Sequence, residues 1–248
     1  MNRYKITIAY DGGKFSGWQV QPNAVSIQEL IEGAIEKILK EKLKVIGSGR
    51  TDAGVHALAQ VAHFETEKEL EIEKTLFSLN GLLPHEIRIL KLEKMANDFH
   101  ARFSAKKKTY HYHLHLEKFQ TPFKRGISLH VKRLLDIDLL KKACKKFEGT
   151  HNFKAFANEA GKGSAKASPV KTIYSLNAIE EEGGYRLEFT GSGFLYKMVR
   201  NITGALIECA AGKLEIEKIP ELLESQDRRL APKAAPAHGL FLVNIEYK

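Results

Sequence analysis

Tyr4-Lys5-Ile6-Thr7-Ile8-Ala9-Tyr10, closed by Asp11-Gly12-Gly13, and the stretch from Ser26 to Lys40 that follows decide the fold. The first alternates apolar and polar side chains with period two, as a half-buried strand requires, and its Asp-Gly-Gly end offers a turn. In the second, Ile27, Leu30, Ile31, Ala34, Ile35 and Ile38 mark one helical face, and Ser26 with Glu29 has the capping-box spacing. Beyond them the pattern predicts a strand edge at 44–46, an irregular loop over 47–54 and a strand at 59–64. A helix at 70–79, ended by Asn80-Gly81, and strand material at 87–92 and 102–104 complete the first hundred residues. The order strand, helix, strand, helix, strand suits an antiparallel or mixed sheet with helices on one side.

A similar alternation restarts near Ala105. Strands are expected at 110–116, 171–179 and 185–190, the last two joined by Gly183-Gly184, and a final strand at 240–247. Helices are expected at 137–147, 194–210 and 216–225. Two α+β domains follow, 1–104 and 105–248, as a plausible duplication of architecture. The stretch 159–168, rich in Gly, Ala, Lys and Ser and without periodicity, reads as a mobile basic loop able to order against phosphate.

With 43% hydrophobic and 28% charged residues in a chain of 248, a disordered tail, a collagen-like repeat and a disulfide-stapled mini-protein are excluded. Lys and Arg number 39 against 30 Asp and Glu, a net charge of +9 that attracts polyanions. Nucleic acid, anionic membrane and phosphorylated small molecules share that attraction, so charge alone does not choose. Cys144 and Cys209 have no CxxC spacing, which excludes a cysteine-rich zinc or iron-sulfur site and favours a reduced compartment. The opening Met1-Asn2-Arg3-Tyr4-Lys5 carries no apolar signal core, and no apolar run approaches a membrane span. A soluble cytoplasmic protein is expected.

The sharpest chemical feature is Gly47-Ser48-Gly49-Arg50-Thr51-Asp52-Ala53-Gly54-Val55-His56. It lacks the Gly-Lys-Ser/Thr ending of a phosphate-binding P-loop and is not a dinucleotide fingerprint. Asp52 near Arg50 suggests a carboxylate kept ionised by charge-assisted bonds, as a carboxylate nucleophile must be. An Asx-type turn with a surface ion pair is the competing reading. His111, His113 and His115 recur with period two, opposite Tyr110 and Tyr112. Same-face neighbours stand roughly 7 Å apart, too wide to share one metal ion, so a solvent- or RNA-facing ladder is expected. Lys106-Lys107-Lys108, with Lys141, Lys142, Lys145 and Lys146, offers a track for phosphates. Phe194, Met198 and Ile202 fall at helical spacing and read as core, whereas Arg200 beside them is not called for by packing.

The blocks Tyr10-Asp11-Gly12, Gly17-Trp18-Gln19, Gly49 to Ala57, Phe99 to Ala105, Gly193 to Asn201 and Ala234 to Leu240 together resemble the tRNA pseudouridine synthase A family, in the family's order and over almost the whole chain. The resemblance implies isomerisation of uridine to pseudouridine in the anticodon stem-loop of tRNA, at positions 38, 39 and 40, without metal or cofactor. It implies a pseudouridine synthase fold, with RRM-like or ferredoxin-like halves and an active-site cleft between them. A homodimer is implied as well, with no DNA or membrane partner. By the same resemblance Asp52 matches the catalytic aspartate, Arg50 the base-displacing arginine, Tyr110 the active-site tyrosine and Arg200 the arginine that pairs with the aspartate. Arg50, Tyr110, Arg102, Lys106, Lys107 and Lys108 are the candidate substrate contacts.

Two rivals remain at this level. A non-catalytic protein that binds structured RNA explains the charge and the aromatics but gives no reason for Asp52 beside Arg50. A nuclease or phosphotransfer enzyme calls for paired carboxylates at metal-ligand spacing, and the motif supplies a single one, Asp52.

Overall fold

The alternating stretch at the start of the chain is strand β1 (Asn2–Tyr10) in the computed structural model, which describes residues 1–159 and 168–247. Residues 160–167, the body of the expected mobile basic loop, lie outside the described residues. Tyr4, Ile6 and Ile8 of β1 are fully buried and Tyr10 nearly so, the period-two face that the sequence predicts. The strand leads into α1 (Ile27–Leu39), whose Ser26 cap accepts a hydrogen bond from the Glu29 amide at 3.2 Å. Then come β2 (Ile46–Gly47), β3 (His56–Thr66), α2 (Ile72–Leu82) and β4 (Ile87–Met95). These belong to a compact unit made of Met1–Lys106 and Phe241–Lys248.

A second unit, Lys107–Leu240, runs β5 (Lys107–His115), β6 (Leu129–His130), α3 (Ile137–Lys145), β7 (Gly149–Asn152), β8 (Val170–Glu181), β9 (Gly184–Gly191), α4 (Met198–Ala210) and α5 (Lys218–Ser225). The closing strand β10 (Leu240–Glu246) pairs in parallel with β3, so the end of the chain returns to the first unit. The sequence places that strand in its second half, because strand propensity carries no information about the partner. The first unit's strands lie in the order β4-β1-β3-β10, with β2 added on β3. The second unit's lie in the order β5-β9-β8-β7, with β6 on β5. Antiparallel pairs dominate and helices pack against the sheets, an α+β architecture as expected.

Some local expectations give way to long-range contacts. Residues 102–104 form a tight turn, not a strand, because His100 Nδ1 accepts from the amides of Arg102 and Phe103 and its carbonyl accepts from Ser104. Asn80-Gly81 lies inside α2: the Asn80 carboxamide bonds the amide and the carbonyl of Ile89, each at 2.9 Å, instead of capping its own helix. Helix α4 begins at Met198, four residues after Phe194, because Lys197 ahead of it takes a left-handed conformation with φ 59°. Tyr110, Tyr112 and Leu114 share the buried face of β5, but the histidines opposite them are no open ladder. His113 Nδ1 lies 2.8 Å from Glu181, His111 Nε2 lies 3.4 Å from Glu188, and buried His115 donates to the Phe119 carbonyl at 3.0 Å. The carboxylates that engage His113 and His111 come from β8 and β9, which the spacing in β5 does not reveal. Among the described residues no helix is long and apolar enough to cross a membrane.

One buried group in the first unit gives stability a pH dependence. The His63 imidazole accepts from the Ala101 amide at 3.2 Å. Its pKa is pushed down from 6.5 to about 4, chiefly because burial disfavours the cation, with repulsion from His100 and Arg3 adding to it. Between those two values the unfolded chain binds the proton more readily, so stability is present above pH 6.5 and declines as pH falls toward 4. Urea midpoints should drop across that window, with a shallower slope in His63→Asn; a slope identical in the two proteins would contradict this.

Candidate active site

The segment between β2 and β3 is a loop whose path is set by the end of β1 and the turn that follows. Gly12 lies so close beneath it that a Cβ there would meet the Val55 carbonyl oxygen at 1.9 Å. Gly17 has φ +92°, and its missing Cβ would meet the Thr51 oxygen at 2.6 Å. Trp18, 2% exposed, donates its amide to that same Thr51 carbonyl at 3.1 Å. The Tyr10-Asp11-Gly12 and Gly17-Trp18 blocks thus act as the floor of the 47–56 loop.

On this floor the loop's side chains separate. Ser48 and Thr51 turn inward and are buried, whereas Arg50 is exposed and Asp52 half-buried. Buried Gln60 accepts from the Ser48 hydroxyl at 2.7 Å and donates to the Gly49 carbonyl at 3.0 Å. The Tyr10 hydroxyl and Thr51 Oγ1 share a hydrogen bond of 2.8 Å. At the loop's exit, buried His56 accepts from the Gly12 amide at 3.2 Å, has Asp11 Oδ1 at 3.0 Å and stacks on Phe241 with centroids 4.6 Å apart. Arg50 and Asp52 are therefore carried on a backbone with little freedom, the arrangement that a reacting carboxylate needs.

Tyr110 and Arg200 belong to the second unit. Tyr110, 8% exposed, meets Phe194 edge-on with centroids 5.2 Å apart. Arg200, in the first turn of α4, donates Nε to the Ala235 carbonyl at 2.8 Å while the Ala235 amide donates back at 2.9 Å. The adjacent Pro236 carbonyl accepts from Tyr112 at 2.8 Å. Arg200 thus has a packing role that the sequence does not suggest: it helps to hold the 235–236 segment. Asn201, fully buried, bonds the Phe156 carbonyl, Asn158 and Arg228. The sequence singles out neither Asn201 nor Gln60; a lone carboxamide in an apolar stretch is the signal each carries.

Of the other candidates, Arg102 sits on the turn after β4 with its guanidinium 5.6 Å from the centroid of the exposed Phe103 ring. Lys106 donates its amide to Glu246 at 2.7 Å and is itself exposed. Lys107 and Lys108 alternate along β5, with the Lys107 ammonium 5.9 Å from the Tyr174 ring centroid. The cysteines offer no rival nucleophile: both are buried, and burial pushes the thiols up to about 12 for Cys144 and about 11 for Cys209.

A buried polar floor and a clamped loop that carries Arg50 and Asp52 make this segment the candidate site. A family profile described as tRNA pseudouridine synthase matches residues 6–104 and 143–248. The chain belongs to that family, whose members are isomerases. It is 52% identical over 249 residues to tRNA pseudouridine synthase A 1 of Protochlamydia amoebophila, covering 100% of this chain and 97% of the relative. It is 43% identical over 248 residues to tRNA pseudouridine synthase A 2 of Bacillus anthracis, covering 100% of each, and 43% identical over 252 residues to tRNA pseudouridine synthase A of Limosilactobacillus reuteri, covering 100% and 97%. The chain is therefore a tRNA-directed pseudouridine synthase, and a purely RNA-binding role is not favoured.

Proposed function

We propose that this protein isomerises uridines of the tRNA anticodon stem-loop, at positions 38, 39 and 40, as a cytoplasmic homodimer without a cofactor, and that Asp52 carries the chemistry. The observation that supports the reading most is that exposed Arg50 and half-buried Asp52 stand two residues apart on one clamped loop. In the reaction the bond from N1 of uracil to C1′ breaks, the base turns, and C5 bonds to C1′. C5 then loses its proton and N1 gains one. No redox change occurs. A carboxylate serves by attacking C1′, by adding at C6 of the ring, or by removing a sugar proton to give an alkene, and each route requires it ionised. Arg200 is proposed as its counter-charge and Tyr110 as the ring that stacks on the uracil and handles the C5 proton.

A stem uridine must leave its stack to be reached. Arg50 is suited to fill the vacated space, because a planar guanidinium both stacks and forks onto phosphate. Arg102, Lys106, Lys107 and Lys108 are proposed as backbone contacts that hold the stem. The test is reaction of purified protein with unmodified tRNA in chelator, followed by base-resolved mapping. Product confined to positions 38–40 fits the proposal; product elsewhere, or none, contradicts it. In the same assay Arg50→Lys is expected to lose more than about tenfold in turnover although its charge is kept. Parent-like turnover would remove Arg50 from base displacement.

A further inference from the structure

The floor of the loop holds more polar chemistry than packing requires. Tyr10 is 4% exposed, Thr51 6%, Ser48 1% and Gln60 0%, yet all four are polar and bonded to one another or to the loop backbone. Burying such groups is costly unless each finds a partner. An apolar set of the same size would fill this space without that demand. A phenylalanine at position 10 would still tilt against Trp18, whose ring centroid is 6.3 Å away.

The bonds fall at particular points. Gln60 fixes Ser48 and Gly49, the two residues before Arg50. Thr51, between Arg50 and Asp52, is fixed twice, by Tyr10 on its hydroxyl at 2.8 Å and by the Trp18 amide on its carbonyl at 3.1 Å. The Asp52 carbonyl accepts from the Val55 amide at 3.1 Å. Both anchors of the hydroxyl chain come from regular structure: Tyr10 ends β1 and Gln60 lies within β3. The pairing of these strands slips between Ile8, opposite Gln60, and Tyr10, opposite Ala57. That irregularity, of the kind found near active sites, sets Leu58 and Ala59 of β3 against Ala9 alone, between the residues that anchor the loop, Gln60 and Tyr10.

We propose that Tyr10 is a positioning residue for the reaction: through its bond to Thr51 it sets the direction in which the Asp52 carboxylate leaves the loop, with Gln60 holding the loop on the other side of Arg50. The proposal rests on the reading of Asp52 as the reacting carboxylate. Thr51 immediately precedes Asp52, so holding both its side chain and its carbonyl restricts the peptide that carries the Asp52 Cα. A reacting atom displaced by about 1 Å loses on the order of a hundredfold in rate. The role is steric and not acid–base, because burial raises the phenol's pKa far above any working pH and the proton stays in place.

The test uses full-length protein and unmodified tRNA. Tyr10→Phe and Thr51→Val should each lower kcat about tenfold, leave KM and tRNA affinity within about twofold, and keep the shape of the pH–rate profile. Thr51→Ser, which retains the oxygen, should recover most of the rate. The double variant Tyr10→Phe/Thr51→Val should be no slower than either single one, since all remove the same bond. Parent-like kcat in Tyr10→Phe, a loss seen in tRNA affinity instead of kcat, an altered pH profile, or Thr51→Ser as slow as Thr51→Val would each overturn the proposal. If Tyr10→Phe does not fold, the comparison of Thr51→Val with Thr51→Ser decides alone. A different result sinks the underlying reading: an Asp52→Asn protein that still forms pseudouridine.

Discussion

Asp52→Asn should lower pseudouridine formation by roughly a thousandfold or more while tRNA affinity changes little. The substitution keeps size and shape, and the loop's own restraints survive it. The Asp52 to Val55 bond uses the backbone carbonyl, and Thr51 remains held by Tyr10 and Trp18. What disappears is the negative charge, and an amide serves neither as nucleophile nor as base. Single-turnover rates on unmodified tRNA, read by base-resolved mapping, measure the first quantity, and filter binding measures the second. A variant within about tenfold of the parent would take Asp52 out of the chemistry; a variant that loses tRNA instead would make it a binding residue.

Gly12→Ala should combine a loss of stability of about 3 kcal/mol with a fall in turnover. The added carbon would lie 1.9 Å from the Val55 oxygen and 2.6 Å from its carbonyl carbon, and both are backbone atoms with no rotamer to escape into. The loop must lift, and Val55 carries with it the amide that holds the Asp52 carbonyl. The expected rate loss is on the order of a hundredfold, the scale of a misplaced reacting group. Gly13→Ala is the internal control, since its Cβ would approach only the Asp11 side chain, at 3.1 Å. Thermal unfolding together with turnover checks both. A Gly12→Ala protein as stable and as fast as Gly13→Ala would show that the floor does not set the loop.

The elements legible in the sequence are those whose signal is local. Tyr4 to Tyr10 alternates because one face of β1 is buried, and Ser26 announces α1 because its hydroxyl caps that helix. Asp52 and Arg50 stand out because glycines crowd around them. What stays hidden depends on partners far along the chain. Asn80 looks like a helix terminator and instead binds Ile89, and the histidines of β5 look open until Glu181 and Glu188 arrive from other strands. Lys197 gives no sign of a left-handed backbone, so the expected start of α4 falls four residues early. In the site, Tyr10 reads as strand core and Gln60 as an oddity in an apolar run. Their value depends on a loop some forty residues from one and about ten from the other, and that proximity exists only in three dimensions.

The return of β10 to β3 ties the order of synthesis to the birth of the site. The ribosome delivers the whole of the second unit before the strand that lies beside His56 and Ala57, directly after the candidate loop. At ordinary elongation speeds that interval is on the order of ten seconds. During it β3 of the nascent first unit lacks its parallel neighbour, so the sheet that carries the 47–56 loop is completed only after the second unit has been made.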